Sequence, residues 1–153
     1  MSTVEKRVKS PWDYAAYAAI PEDGKRHEII DGEHFVNPAP TLYHQEVSRH
    51  IQFQLYTQIE LTEQGKVINA PVDLQLSDHD IVQPDLVIVT RARKHIMTPI
   101  KIKGVPEYWI VSPDDHQITQ LVLQDDRYTE SIETISITKK VAPQATVDLT
   151  RVW

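Results

Sequence analysis

The stretch 81–89, IVQPDLVIV, decides how this chain is read. Apart from Gln83, Pro84 and Asp85, every residue in it is apolar. A run apolar at both alternating positions suits a strand covered on both faces of its sheet. Pro84 has no N–H to donate, so it implies an edge, a bulge or a local break in pairing. Asp85 is the more informative departure. An ionised carboxylate among apolar neighbours is costly unless it is paired or coordinates a metal. Two readings follow: Asp85 caps a bulge at Pro84 or pairs with an arginine, or it is kept for chemistry.

Working back from this run, Ser77–Asp80 (SDHD) reads as a turn. Val67–Leu76 reads as a strand, with Val72, Leu74 and Leu76 alternating against Asp73 and Gln75. Upstream, Val47, Ile51, Leu55 and Ile59 recur every four residues within 42–64. That is one apolar stripe of a long amphipathic helix. Thr41 is placed to cap it after Pro38 and Pro40, and Gly65 to end it. In HEIIDGEHFV (27–36), Asp31-Gly32 separates two alternating segments, a strong hairpin signal because both turn positions need positive φ. A two-residue turn sets Ile30 opposite Glu33 and Glu28 opposite Phe35, so all four share a face. Glu28 is then a second candidate carboxylate, though hairpin carboxylates are often simply exposed. His44, in the first turn of the long helix, is a third candidate, with a packed or solvated histidine as the plainer reading. His27 and His34 fall diagonally on one hairpin face and read as surface residues. Ser10-Pro11-Trp12-Asp13 has the form of a helix start, with the helix running through Tyr14–Ala19 and stopping at Pro21.

Downstream, Arg91, Arg93, Lys94, Lys101 and Lys103, with His95, fill 91–103 without an acid. The segment reads as a solvated loop or as a strip that contacts phosphates. Glu107–Val111 (EYWIV) reads as a buried strand and Pro113–Asp115 as a turn. Gln117–Leu123 and Tyr128–Ile137 form an antiparallel pair around 124–126, and 145–153 docks as a last strand. The predicted architecture is α+β, one principal helix laid across a mostly antiparallel sheet with an N-terminal hairpin.

The 153 residues suit one domain, 1–153, large enough to fold without disulfide or metal. Cysteine is absent, which removes disulfides, thiolate metal sites and cysteine nucleophiles. Nucleotide-binding glycine motifs, a G-x-S-x-G elbow and H-E-x-x-H are all missing. With 16 Lys+Arg against 22 Asp+Glu, the formal charge is −6, which argues against a protein that coats nucleic acid indiscriminately. No apolar run approaches the roughly 18 residues of a membrane span. The chain therefore reads as soluble and cytoplasmic, with no membrane partner.

The order of helix, strand, strand with Pro-Asp and later EYWIV strand resembles the PD-(D/E)XK nuclease superfamily. More narrowly, the chain is similar to the Uma-two family of restriction endonucleases. The resemblance rests on HEIIDGE (27–33), NPAPTLYHQ (37–45), APVDLQLSDHDIVQPDLVIV (70–89) and GVPEYWIVSP (104–113), four motifs in register. It implies a restriction-endonuclease-like core, DNA as substrate and partner, and a homodimer. It also implies hydrolysis of phosphodiesters with Mg²⁺, which activates water and stabilises charge on the phosphate. Asp85 matches the family's metal-binding aspartate, Glu28 the glutamate of the opening hairpin, and His44 the histidine at the head of the long helix.

The chain departs from the family at one place. The family carries a further strand ending in a second catalytic glutamate, then a helix bearing a lysine, before the EYWIV-like strand. Here Lys103-Gly104 runs directly into Val105-Pro106-Glu107, and no E-x-K or D-x-K follows Asp85. Aligned on Gly104-Val105-Pro106, Val111 falls where the glutamate belongs. Either residues are absent from the sequence read here, or the protein is a deletion variant. In a deletion variant, strand 107–111 is expected to take the vacated place in the sheet. Hydrolysis is expected to be lost unless Glu107, with Lys101 or Lys103, substitutes.

Overall fold

The computed structural model describes residues 11–97, 101–103, 105–125, 127–141 and 143–153. The hairpin forms as its turn chemistry requires. β1 (Arg26–Ile30) and β2 (Glu33–Asn37) pair with Glu28 opposite Phe35 and Ile30 opposite Glu33. Asp31 and Gly32 carry φ of 53° and 75°. The face bearing Ile29 is the buried one, while Ile30 and Phe35 are 45% and 42% exposed. The preceding helix, α1 (Tyr14–Ala18), is capped by Asp13, whose side chain accepts from Ala16 N at 2.8 Å. The expected cap, Ser10, lies outside the described residues, and Pro11 stands before the helix rather than in it.

The long helix α2 (Leu42–Leu55) starts at Thr41, whose hydroxyl accepts from His44 N at 3.2 Å. Its last turn widens to π geometry over Tyr56–Glu60. Val47, Ile51, Leu55 and Ile59 are at most 3% exposed, so the predicted stripe is the buried face. Each such side chain contributes roughly 1.5–3 kcal/mol of burial. Gly65 does not end the helix. It opens β3 (Gly65–Asn69), where an added Cβ would stand 2.6 Å from the Val89 carbonyl oxygen.

Two predicted strands are each broken by a proline. Val67–Leu76 divides at Ala70-Pro71 into β3 and β4 (Asp73–Ser77). Ile81–Val89 divides at Gln83-Pro84-Asp85 into β5 (Asp80–Val82) and β6 (Leu86–Thr90). The halves enter different sheets, because a residue without an N–H cannot continue the ladder. Of the three options at Pro84, a break in pairing is the one realised. A 3₁₀ turn over Arg91–Ile96 follows, then β7 (Lys101–Lys103).

The EYWIV strand is β8 (Glu107–Ser112), half-buried rather than fully buried, with Ile110 48% exposed. It pairs with β9 (Gln117–Gln124), which pairs with β10 (Arg127–Glu133). Short strands β11 (Ser136–Thr138) and β12 (Thr146–Asp148) pair with each other, so the C-terminal stretch does dock as a last strand.

The sheet expected as one is divided into four. A five-stranded sheet has the order β2-β1-β5-β4-β7, β8–β10 form a three-stranded sheet, and β3–β6 and β11–β12 are ladders of two. Every pairing is antiparallel except β4 with β7. The main core joins the α2 stripe to Ile118, Ile137, Val147, Leu149 and Val152. The fold is α+β, mostly antiparallel, with one long helix. Strand 107–111 does not take a place beside β6. Among the described residues, β6 pairs only with β3 and β8 only with β9.

Candidate active site

The break at Pro84 turns Asp85 out of both ladders and towards β1 and α2. Alternation along β1 puts Arg26 and Glu28 on one face. Arg26 donates from Nη1 to Asp85 Oδ1 at 2.9 Å and from Nη2 to the Gln83 carbonyl. The same Nη2 lies 3.5 Å from Glu28 Oε1. On the other side, His44 Nε2 lies 3.2 Å from Asp85 Oδ2. The His44 Nδ1 atom is buried and has no hydrogen-bond partner, which favours the tautomer with the proton on Nε2, donated to Asp85. Glu28 accepts from Gln83 N at 2.8 Å and from Asn37 Nδ2 at 2.6 Å.

The three residues singled out from sequence thus converge, Asp85 and Glu28 on the Arg26 guanidinium and His44 on Asp85. The structure realises both readings of Asp85: it pairs with an arginine, and it does so beside Glu28 and His44. Asp85 is also less enclosed than its apolar flanks suggest, since its side chain is 41% exposed against 13% for Glu28.

Sequence reasoning missed Arg26, although its i, i+2 spacing to Glu28 was a usable signal. It missed a neighbouring network as well. Tyr17 on α1 donates its hydroxyl to Asp73 Oδ1 at 2.7 Å, and Gln83 Nε2 donates to the same oxygen at 2.8 Å. Burial and the Asp73 carboxylate push the Tyr17 phenol well above its ordinary value. Tyr108, on β8, is raised by burial first and then by the charges of Glu28 and Asp85, with Arg26 opposing. No periodicity marks these contacts, and Tyr17 and Asp73 lie 56 residues apart in sequence.

Asp85, Arg26, His44 and Ser48 stand between two cavities. One, of about 580 Å³, is mixed in character and includes Asp73, Gln83, Arg49 and Gln52. The other, of about 550 Å³, is mainly apolar and runs between β6 and β8 over α2. Arg91, Arg93, Lys94 and His95 are exposed on the 3₁₀ turn at the far end of β6. Five residues of strand separate that turn from Asp85, roughly 17 Å. Lys101 and Lys103 lie on β7, but their side chains are outside the described residues. His27 and His34 are half-buried rather than freely exposed. His27 Nδ1 and His34 Nε2 are 2.9 Å apart, and Trp12 lies against His34 with ring centroids 4.6 Å apart. The short α1 segment brings the tryptophan over the hairpin.

The donor set argues against a resident divalent ion in this arrangement. All four oxygens of Asp85 and Glu28 already face N–H or guanidinium donors. A cation at Asp85 would sit beside the positive Arg26. Among the described residues, no three His, Asp or Glu side chains are grouped to hold a metal. Glu107, the possible substitute, is also engaged. It accepts from Trp109 Nε1 and Gln120 Nε2, both at 2.7 Å, and from Val141 N at 2.8 Å.

Comparison with known proteins agrees with the fold. No curated protein matches the chain. Among solved structures, the chain is similar to a putative nuclease belonging to DUF820 from Anabaena variabilis ATCC 29413. The two share a TM-score of 0.66 at 13% identity, over 81% of this chain and 85% of that one. At that identity the likeness is one of fold. A family model described as Uma2, putative restriction endonuclease, matches residues 14–102, more than half of the chain and all of the Asp85 surroundings up to β7. The chain belongs to the Uma2 family of putative restriction endonucleases.

Proposed function

We propose that this protein is a nuclease-fold DNA-binding module that does not hydrolyse DNA as this chain is built. One observation carries the reading: Asp85, where the family's chemistry would be anchored, is held by Arg26 and His44 instead of being presented to an ion. Restriction-endonuclease-like proteins are typically metal-dependent. Mg²⁺-dependent hydrolysis here would need Arg26 to leave Asp85 and further ligands to arrive. Glu28 and Glu107 are both committed to N–H donors.

DNA remains the partner that best suits the fold and its exposed cations. Arg91, Arg93 and Lys94 lie in one 3₁₀ turn, continued in sequence by Lys101 and Lys103. On this reading they contact phosphates, and the acidic remainder of the surface keeps binding local. A cytoplasmic homodimer goes with it, since a two-fold pair presents two such strips to a duplex. Light scattering at working concentration checks the dimer.

A gel shift against salt tests DNA binding. Three phosphate contacts from one strip predict a log–log slope of about −2.7, or about 40-fold weaker binding between roughly 50 and 200 mM salt, and twice that slope where both strips of a dimer engage. Substituting Arg91 and Lys94 with alanine should flatten that slope by about two contacts' worth. Absence of binding at low salt, or binding insensitive to salt, would contradict the proposal.

A further inference from the structure

Among the described residues, the edges of β6 and β8 that face away from their partners have no strand beside them. Asp85 O accepts from Ala70 N at 3.0 Å, and Arg91 N donates to Gln64 O at 2.8 Å. Bonded positions alternate along an antiparallel ladder. Val87 and Val89 therefore bond to β3, and Leu86, Ile88 and Thr90 turn their N–H and C=O groups the other way. Pro106 O likewise accepts from Leu123 N at 2.8 Å, so Glu107, Trp109 and Val111 turn theirs away from β9. Among the described residues no other strand pairs with these six outward positions, and the Thr90 carbonyl alone is taken up locally, as the cap of the 3₁₀ turn.

The apolar cavity lies between these two rows. Every residue of 84–90 and of 105–111 lines it, and Val47, Ile51 and Leu55 of α2 form its floor. A residue within a sheet takes up roughly 160 Å³, from a rise of about 3.3 Å, a strand spacing of about 4.8 Å and a layer of about 10 Å. The cavity of about 550 Å³ thus has room for three or four residues in extended form. Half-buried backbone rows without partners are costly, and a strand laid between them would satisfy both.

Charge restricts what enters. Asp85 is matched by Arg26, and Glu107 acts electrostatically on the buried Lys139. Arg93, which also lines the cavity, has no acidic partner among the described residues. We propose that the slot between β6 and β8 accepts an extended, apolar segment of another protein chain, carrying one carboxylate directed at Arg93 and pairing with both strand edges. This capture of a strand shares Arg93 with the proposed phosphate contacts, and a peptide probe in the absence of DNA reads it separately.

The test uses the full chain and a synthetic probe, acetyl-Thr-Val-Val-Glu-Val-Thr-amide. Calorimetry should show saturable one-to-one binding. Amide exchange should slow in both 86–90 and 107–111. Proline at the central valine should abolish binding, because it removes a ladder donor. Lysine in place of the glutamate should weaken binding by about tenfold or more, and Arg93→Glu should reverse that preference. Several results would overturn the proposal: no binding, equal binding of the proline peptide, or protection of one edge alone. Displacement of the peptide by decanoate without amide protection would make the slot an apolar ligand pocket instead. Protection that rises with protein concentration in the absence of peptide would assign the slot to a second copy of this chain.

Discussion

Asp85 is bonded on one oxygen to Arg26 and on the other to His44, so its charge is spent within the fold. Removing it strands the guanidinium beside Glu28 and the Gln83 carbonyl. Because Asp85 is well exposed, Asp85→Ala should cost only about 1 kcal/mol in urea unfolding. Arg26→Ala loses contacts to three groups and should cost about 2 kcal/mol. The double variant should cost less than the sum, since the pair shares one contact. Additive losses would show that the ion pair contributes nothing. Tyr17 makes a separate prediction. Burial and Asp73 raise its phenol, so the folded form keeps the proton after the unfolded chain has lost it. That contribution is complete below the ordinary value of 10.0 and is lost as pH rises above it. Tyr17→Phe should therefore reduce the fall in stability between about pH 10 and 11, measured by urea unfolding across that range. An unchanged alkaline slope would count against the buried phenol. Asp85, Glu28 and His44 were legible as candidates because charge stood out against apolar or helical pattern. Arg26 was marked only by its i, i+2 spacing to Glu28, and Asp73 and Tyr108 by nothing, since their roles depend on which strands come together in space.

The elements follow their local chemistry wherever a short-range signal controls them. The Asp31-Gly32 turn sets the hairpin register, and four-residue spacing sets the buried face of α2. Ile59, fully buried, should cost about 2–5 kcal/mol as alanine. Phe53, 64% exposed on the opposite face, should change stability by no more than about 0.5 kcal/mol. Thermal or urea unfolding of the two variants compares them directly, and equal costs would contradict the orientation of the helix. Elements were misjudged where apolar runs were read through prolines. Pro71 and Pro84 each interrupt a ladder, and hydropathy alone does not register a missing donor. The break at Pro84 also frees Asp85 from the strand, so the misread element and the candidate site are one feature.

At the scale of the molecule, the division into four sheets matters most. A chain in which β8 had joined β6 would merge two of the four sheets and leave no slot. Instead β8 stays with β9, and a cavity of about 550 Å³ lies between two edges that are unpaired among the described residues. That division could not be read from sequence, because both strands carry the same apolar pattern whether or not they meet. The same scale holds the functional claim: the Uma2 fold is present, and its carboxylates are engaged by the protein itself. The most direct measurement is DNA cleavage by purified chain whose intact mass is confirmed at 17.6 kDa. With Mg²⁺ or Mn²⁺ supplied, DNA should be bound and left uncut, at a level indistinguishable from Asp85→Ala. Robust metal-dependent cleavage that disappears in Asp85→Ala would contradict the claim.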